Sequence, residues 1–206
     1  MATTLPRGPH KLSREEVTRS QRNRLIRAMA EAMAENGFAQ TSVADVLGRA
    51  RVSRETFYQQ FSSKQDCFIA AYEQAASVIL ANLDREAASA GTPLERFDRT
   101  LGVYLEALAG EPAFARLFMI EVYSAGDEVL ERRAEIQRRF ADLVSEAFGA
   151  RDTSERFACE ALVASIAAMV TARLAANDIE GLRALRSGFS DLVREALGHK
   201  GGGRRR

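Results

Sequence analysis

Histidine is almost missing from this chain, and that scarcity removes most familiar catalytic chemistries. Only His10 and His199 occur among 206 residues, both in polar stretches near the ends. No ordered imidazole is available to activate a serine or cysteine, and a histidine-based metal site has no ligands to draw on. Cysteine is equally scarce: Cys67 and Cys159 are the two present, without the CxxC or CxxH spacing of a zinc site. With no export signal at the start they read as small buried apolar residues rather than a disulfide. No continuous apolar run approaches the roughly 20 residues that a membrane span needs, and residues 1–12 carry no secretory-type apolar stretch. Runs of β-branched residues with period-two alternation are missing too, and no Gly-rich loop follows a strand. The expectation is a cytoplasmic, all-helical protein with no metal, no cofactor and no membrane partner.

What the chain does have is helix. Hydrophobic residues make up 46% and charged residues 28%, the balance of a globular protein with a sizeable core. Residues 1–66 carry eleven Lys/Arg against seven Asp/Glu, and the remainder eighteen against twenty-one. The sign favours a polyanionic partner at the N-terminal end, but a solvated helix surface explains so small an excess as well. Residues 1–12, with two of the four prolines, read as a flexible arm, and residues 199–206 as a disordered Gly/Arg tail.

Between these tails the periodicity predicts a first helix over residues 13–35. Ser13 and Glu16 have capping-box spacing, and Leu25, Met29, Ala32 and Met33 form one apolar stripe. Gly37 is placed to close that helix in the left-handed conformation. A short helix follows over residues 42–50, with Val43, Val46, Leu47 and Ala50 on one face. After Arg51 and Val52, Ser53 reads as the N-cap of another short helix ending near Phe61. Two short helices joined tightly and backed by a long amphipathic one make a helix-turn-helix arrangement. On a helical wheel Phe57 and Phe61 face inward, while Arg54, Glu55, Tyr58 and Gln59 project away, as a helix lying in a major groove requires. Arg can donate in bidentate fashion to guanine, Gln can pair with adenine, and Glu can accept from cytosine; Glu55 could equally pair with Arg54 and only orient it. Thr41, Ser42, Ser53, Thr56, Tyr58 and Lys64 are suited to phosphates, although N-capping alone accounts for Ser42 and Ser53.

The segment 41–64, through Thr41, Ala50, Val52, Ser53, Thr56, Tyr58, Phe61 and Lys64, resembles the DNA-binding segment of the TetR family of repressors. The resemblance is close over residues 14–70; beyond that it extends to helix number, length and order. Arg51 stands where the family usually has a turn glycine, which implies a non-glycine residue at φ > 0 at a cost of about 1 kcal/mol, offset if the same Arg reaches a phosphate. Glu55 and Gln60 replace a small residue and a frequent His. The division implied is a DNA-binding domain over 13–63 and a helical effector-binding and dimerisation domain over 64–198.

In that second part the pattern predicts helices over residues 64–87, 93–109, 112–123, 127–148, 154–176 and 179–197. The resemblance implies a homodimer through the last two helices, an effector pocket, and effector-driven release from a palindromic duplex operator. Residue spacing leaves packing of those two helices within or between chains open. Candidate pocket residues are Phe97, Leu101, Tyr104, Phe118, Met119, Val122, Tyr123, Phe140 and Met169, with the two tyrosine hydroxyls able to orient a ligand. Few buried charges are evident, which points to a lipophilic effector. Two other classes remain in view: a helical small-molecule carrier that no longer binds DNA, and an enzyme built on paired carboxylates such as Glu121 and Glu128. The carrier predicts no salt-dependent duplex binding, and the enzyme requires converging acids.

Overall fold

The computed structural model of the chain describes residues 13–87 and 89–202. Residues 1–12, read above as an arm, and 203–206, the end of the tail read over 199–206, lie outside the described residues; the tail's first residues, 199–202, are not disordered but continue the last helix. The described residues form α1 (Arg14–Gln40), α2 (Val43–Ala50), α3 (Arg54–Gln60), α4 (Lys64–Ala87), α5 (Pro93–Gly110), α6 (Pro112–Met119), α7 (Asp127–Phe148), α8 (Thr153–Ala175) and α9 (Ile179–Gly202). A 3-10 turn, Glu121–Ser124, joins α6 to α7. No strand occurs among the described residues.

Local chemistry sets most of these boundaries. Ser13 caps α1 through a reciprocal pair with Glu16, and Ser42–Asp45 and Thr92–Glu95 do the same for α2 and α5, each satisfying two backbone donors that have no partner inside the helix. Pro93 and Pro112 occupy first-turn positions, where a missing N–H costs nothing. Gly37 breaks α1 as expected, with φ 75° and ψ 165°, but the chain resumes helical hydrogen bonding beyond the kink as far as Gln40. Arg51 closes α2 in the left-handed region at φ 53° and ψ 50°. Two expected helix ends move. The helix opened by Pro112 stops at Met119 and tightens into the 3-10 turn, and α9 runs past Leu197 to Gly202.

The apolar stripe of α1 supplies the floor of the first core. Leu25, Met29 and Met33 are fully buried there, together with Val46 of α2 and Phe57 of α3. That core continues without a gap along α4 through Cys67, Phe68 and Tyr72 into the larger bundle, in which α7 packs on α8 and α5 on α9. Arg186 of α9 clamps Asp98 of α5 at 2.6 Å, and the Ser190 hydroxyl donates to the same carboxylate at 2.7 Å. Gly102 makes room for this clamp, since a Cβ there would fall 2.8 Å from the Arg186 guanidinium carbon.

By length and composition α8 is apolar enough to cross a membrane. The expectation above counted unbroken apolar runs, and Glu160 and Arg173 interrupt this one. Here α8 packs against α6, α7 and α9. Phe157 of α8 and Leu192 of α9 are among its exposed large apolar residues, at 68% and 53%.

Phe57 is completely buried and ties α3 to the rest of the N-terminal core. Phe57→Ala is therefore expected to destabilise the chain by about 3–5 kcal/mol, read as a shift in the urea unfolding midpoint. A loss below 1 kcal/mol would mean that α3 is held by something else.

Candidate nucleic-acid interface and ligand cavity

The outward face of α3 is open. Arg54, Glu55, Tyr58 and Gln59 are exposed, while Phe57 and Phe61 behind them are buried. The Tyr58 ring meets Phe57 edge-on at 5.3 Å, so an exposed aromatic stands on a fixed base. Glu55 does not pair with Arg54. It accepts from the Gln59 side-chain nitrogen at 3.3 Å, leaving the Arg54 guanidinium without an acidic partner among the described residues. Arg51 projects from the turn and is exposed. The Ser53 hydroxyl accepts from the Thr56 N–H at 3.1 Å and lies 2.9 Å from the Thr56 hydroxyl. Ser42 is exposed, with its hydroxyl on the Asp45 carboxylate at 2.7 Å; Ser42's hydroxyl and N–H hold that carboxyl below its ordinary range. Gln60 is half-buried, and its carbonyl accepts from Arg22 at 3.2 Å.

Two residues expected at the phosphates are turned inward. Thr41 is buried, its hydroxyl and its N–H both donating to the Gly37 carbonyl, at 2.8 Å and 3.2 Å, so that its side chain closes the end of α1. The Lys64 ammonium donates to the carbonyls of Phe38 at 2.7 Å and Thr41 at 2.9 Å and lies 4.2 Å from the Phe38 ring centroid. It fastens the start of α4 to the end of α1.

Phe38 is bound on its other side as well. Its N–H donates to the Glu121 carboxylate at 2.9 Å, and Glu121 is buried in the 3-10 turn. Glu128 stands exposed at the start of α7, so the two carboxylates once considered as an acid pair serve different surroundings. Among the described residues no group of three or more His, Cys, Asp or Glu is placed to hold a metal ion.

A cavity of about 980 Å³, counted to its open mouth, lies between α4, α5, α6, α7 and α8. Six of the expected residues line it: Phe97, Leu101, Tyr104, Phe118, Met119 and Phe140. Three do not. Val122 is buried in the 3-10 turn, off the cavity wall. Tyr123, next along that turn, is 54% exposed and lies under the Arg133 guanidinium, 4.7 Å from ring centroid to carbon. The inward stripe of α8 runs through Val163, Ile166 and Val170, which leaves Met169 on the outer side.

Lining residues not anticipated from the sequence include Tyr72 on α4, Arg96 and Thr100 on α5, and Arg133, Ile136, Gln137, Leu143 and Val144 on α7. The α7 set repeats every three to four residues, a stripe visible in the sequence but masked by its mixture of polar and apolar members. Burial pushes the Tyr72 and Tyr104 phenols above the ordinary tyrosine range, and the nearby Arg133 charge draws both back slightly. Burial also raises the Cys67 thiol to about 12.

The profile described as "Bacterial regulatory proteins, tetR family" matches residues 25–71, the segment from the α1 stripe to the first turns of α4. A fatty acid metabolism regulator protein of Bacillus subtilis is 22% identical over 120 residues, which span 58% of this chain and 62% of that protein. The HTH-type transcriptional repressor KstR of Mycobacterium tuberculosis is 26% identical over 170 residues, 80% of this chain and 77% of the repressor. Among solved structures, the regulator FadR of Bacillus subtilis in complex with stearoyl-CoA superposes with a TM-score of 0.72 at 19% identity, over 82% of this chain and 96% of that one. The fatty acid degradation regulator FadR of Bacillus halodurans gives a TM-score of 0.75 at 19% identity, over 84% of this chain and 93% of its own.

Lys64 bonds two backbone carbonyls as a cation, and hydrogen bonds to a charged group contribute about 1.5–3 kcal/mol. Lys64→Met is expected to lower stability in that range in urea unfolding, with helix content in circular dichroism retained below the transition. Unchanged stability would return Lys64 to the solvent-facing role.

Proposed function

We propose that the chain is a TetR-family transcriptional regulator, an effector-released repressor whose two α3 helices, one per protomer, read a palindromic operator. The observation that carries this reading is the α3 face itself: Arg54, Glu55, Tyr58 and Gln59 exposed on a helix whose opposite side is anchored by buried Phe57 and Phe61. Arg54, free of an acidic partner, is the donor to guanine; Gln59, steadied by Glu55, addresses adenine. Tyr58, Arg51, Ser42, Ser53, Thr56 and Gln60 contact or approach the sugar–phosphate backbone, which sets register rather than sequence. The exposed apolar sides of α8 and α9, with Phe157 and Leu192, serve as the dimer face. A dimer must hold its reading helices about 34–36 Å apart to occupy successive major grooves, so a small internal shift suffices to lose the operator.

The cavity is the effector site. Its wall is aromatic and aliphatic, and one structural neighbour was solved with stearoyl-CoA, which supports a lipophilic ligand. The route from cavity to operator runs through the turn after α6. Phe118 and Met119 line the cavity, and Glu121, two residues on, holds the Phe38 N–H at the end of α1. A ligand that prefers one setting of α6 biases α1 and the reading head by that differential affinity. No catalytic role is proposed for any residue.

Selection of bound duplexes from a random pool tests the reading head. Arg54→Ala and Gln59→Ala are each expected to cost about 1–3 kcal/mol and relax preference at one base position per half-site. Affinity for the selected site should fall steeply with salt as phosphate contacts release counterions; a carrier would bind no duplex in a salt-dependent way. Glu121→Leu removes the strut to Phe38. It is expected to leave operator affinity near the parent value while reducing stearoyl-CoA-driven release by about 0.5–2 kcal/mol of coupling, read from operator titrations with and without that ligand. Equal release in both proteins would place the coupling elsewhere.

A further inference from the structure

The cavity wall is mostly aromatic and aliphatic, and its polar members are Arg96, Thr100, Arg133, Gln137 and two tyrosine hydroxyls. Arg133, Tyr72 and Tyr104 all line it, and no aspartate or glutamate does. Arg133 is half-buried beside exposed Tyr123, which sets it where the cavity wall meets the surface. It has no carboxylate partner among the described residues; its hydrogen bond goes to the neutral Gln137 oxygen at 2.9 Å. Arg96, the other cation on the wall, differs. Like Arg133 it has no carboxylate partner among the described residues, but one donor on each terminal nitrogen is held by a backbone carbonyl, Gly91 at 2.9 Å and Ala147 at 3.1 Å.

Tyr72 supplies an independent observation. It is 1% exposed and stacks on Phe118 at 4.9 Å, yet its hydroxyl has no hydrogen-bond partner among the described residues. That oxygen is not among the fully buried atoms left unpartnered; with its residue on the cavity wall, it is a donor open to a ligand. Tyr104 makes only a 3.5 Å contact to the Met119 sulfur, a weak acceptor. The two phenols and the Arg133 guanidinium therefore have donors to spare, with only a weak sulfur and the neutral Gln137 oxygen engaging them.

We propose that the effector is an anionic amphiphile, seated with its apolar chain inside the cavity and its negatively charged group against Arg133, within reach of the Tyr72 and Tyr104 hydroxyls. This rests on the reading of the cavity as the effector site and adds the chemistry of the ligand's polar end. A carboxylate accepts from several donors at once and is bound most strongly by guanidinium. An uncharged ester of equal length can still accept a hydrogen bond but lacks the charge that strengthens it.

The full-length protein is titrated, without DNA, with palmitate, methyl palmitate and palmitoyl-CoA, following displacement of a fluorescent fatty acid. Palmitate is expected to bind about tenfold or more tightly than its methyl ester, the margin of one charge-assisted contact. Arg133→Gln should erase that margin and leave the ester unchanged. Tyr72→Phe, which keeps the aromatic stack, should weaken palmitate severalfold without lowering stability, since the hydroxyl has no protein partner to lose. If Arg133→Gln weakens palmitate alone, the charged group is a free carboxylate; if palmitoyl-CoA alone, it is a CoA phosphate; if both, either anion reaches Arg133. Equal binding of palmitate and ester, or indifference of every charged ligand to Arg133→Gln, overturns the anionic reading and leaves the effector site standing. Failure of all three to bind overturns the effector-site reading with it.

Discussion

The backbone of Phe38 is the joint on which the molecule turns. Its N–H is held by Glu121, its carbonyl by Lys64, and its ring by the Lys64 ammonium and the edge of Phe68, at 5.4 Å between ring centroids. One residue thus receives contacts from α4 and from the turn after α6 just where α1 kinks at Gly37. A charged donor and a charged acceptor in part-buried surroundings each contribute more than a neutral hydrogen bond. Removing either leaves a polar group that water reaches poorly.

The N-terminal helices form one unit by packing, and the joint ties that unit to the bundle. Neither α2, with 8 residues, nor α3, with 7, is long enough to be stable in isolation. Both are held by packing: Val46 and Phe57 reach the α1 stripe, and Phe61 lies under the Arg22 guanidinium at 4.4 Å. The exposed face of α3 inherits its order from those buried residues. The same helix α4 that leaves this unit carries Tyr72 to the cavity, so the reading head and the ligand site share one continuous core.

The bundle is asymmetric in its polarity. The α5–α9 seam is fastened by ion pairs such as Arg186–Asp98 and Arg183–Glu106, whereas the cavity has uncharged walls apart from Arg96 and Arg133. Ion pairs in exposed seams contribute little stability and much register. Arg133, half-buried at the edge of that space with a neutral oxygen and an aromatic ring as its neighbours, is the group that the proposed anion would engage.

The helices, their caps and the outward face of α3 were legible in the sequence, since each depends on residues within one or two turns of one another. Ser13–Glu16, Ser42–Asp45, Pro93, Gly37 and the Phe57–Phe61 spacing are local signals, and the left-handed Arg51 followed from the turn it occupies. Most of the cavity's aromatic wall was legible too, as large apolar residues on the middle helices. What the sequence could not decide is which polar side chains meet across long separations. Lys64 looked like a phosphate contact and Glu121 like half of an acid pair; only the fold brings both to Phe38, 26 and 83 positions away. Arg133 and Tyr72 were silent for the same reason. Whether a charged group is solvated, paired or left waiting for a ligand depends on the dielectric and the partners around it, and those exist only once the helices have packed.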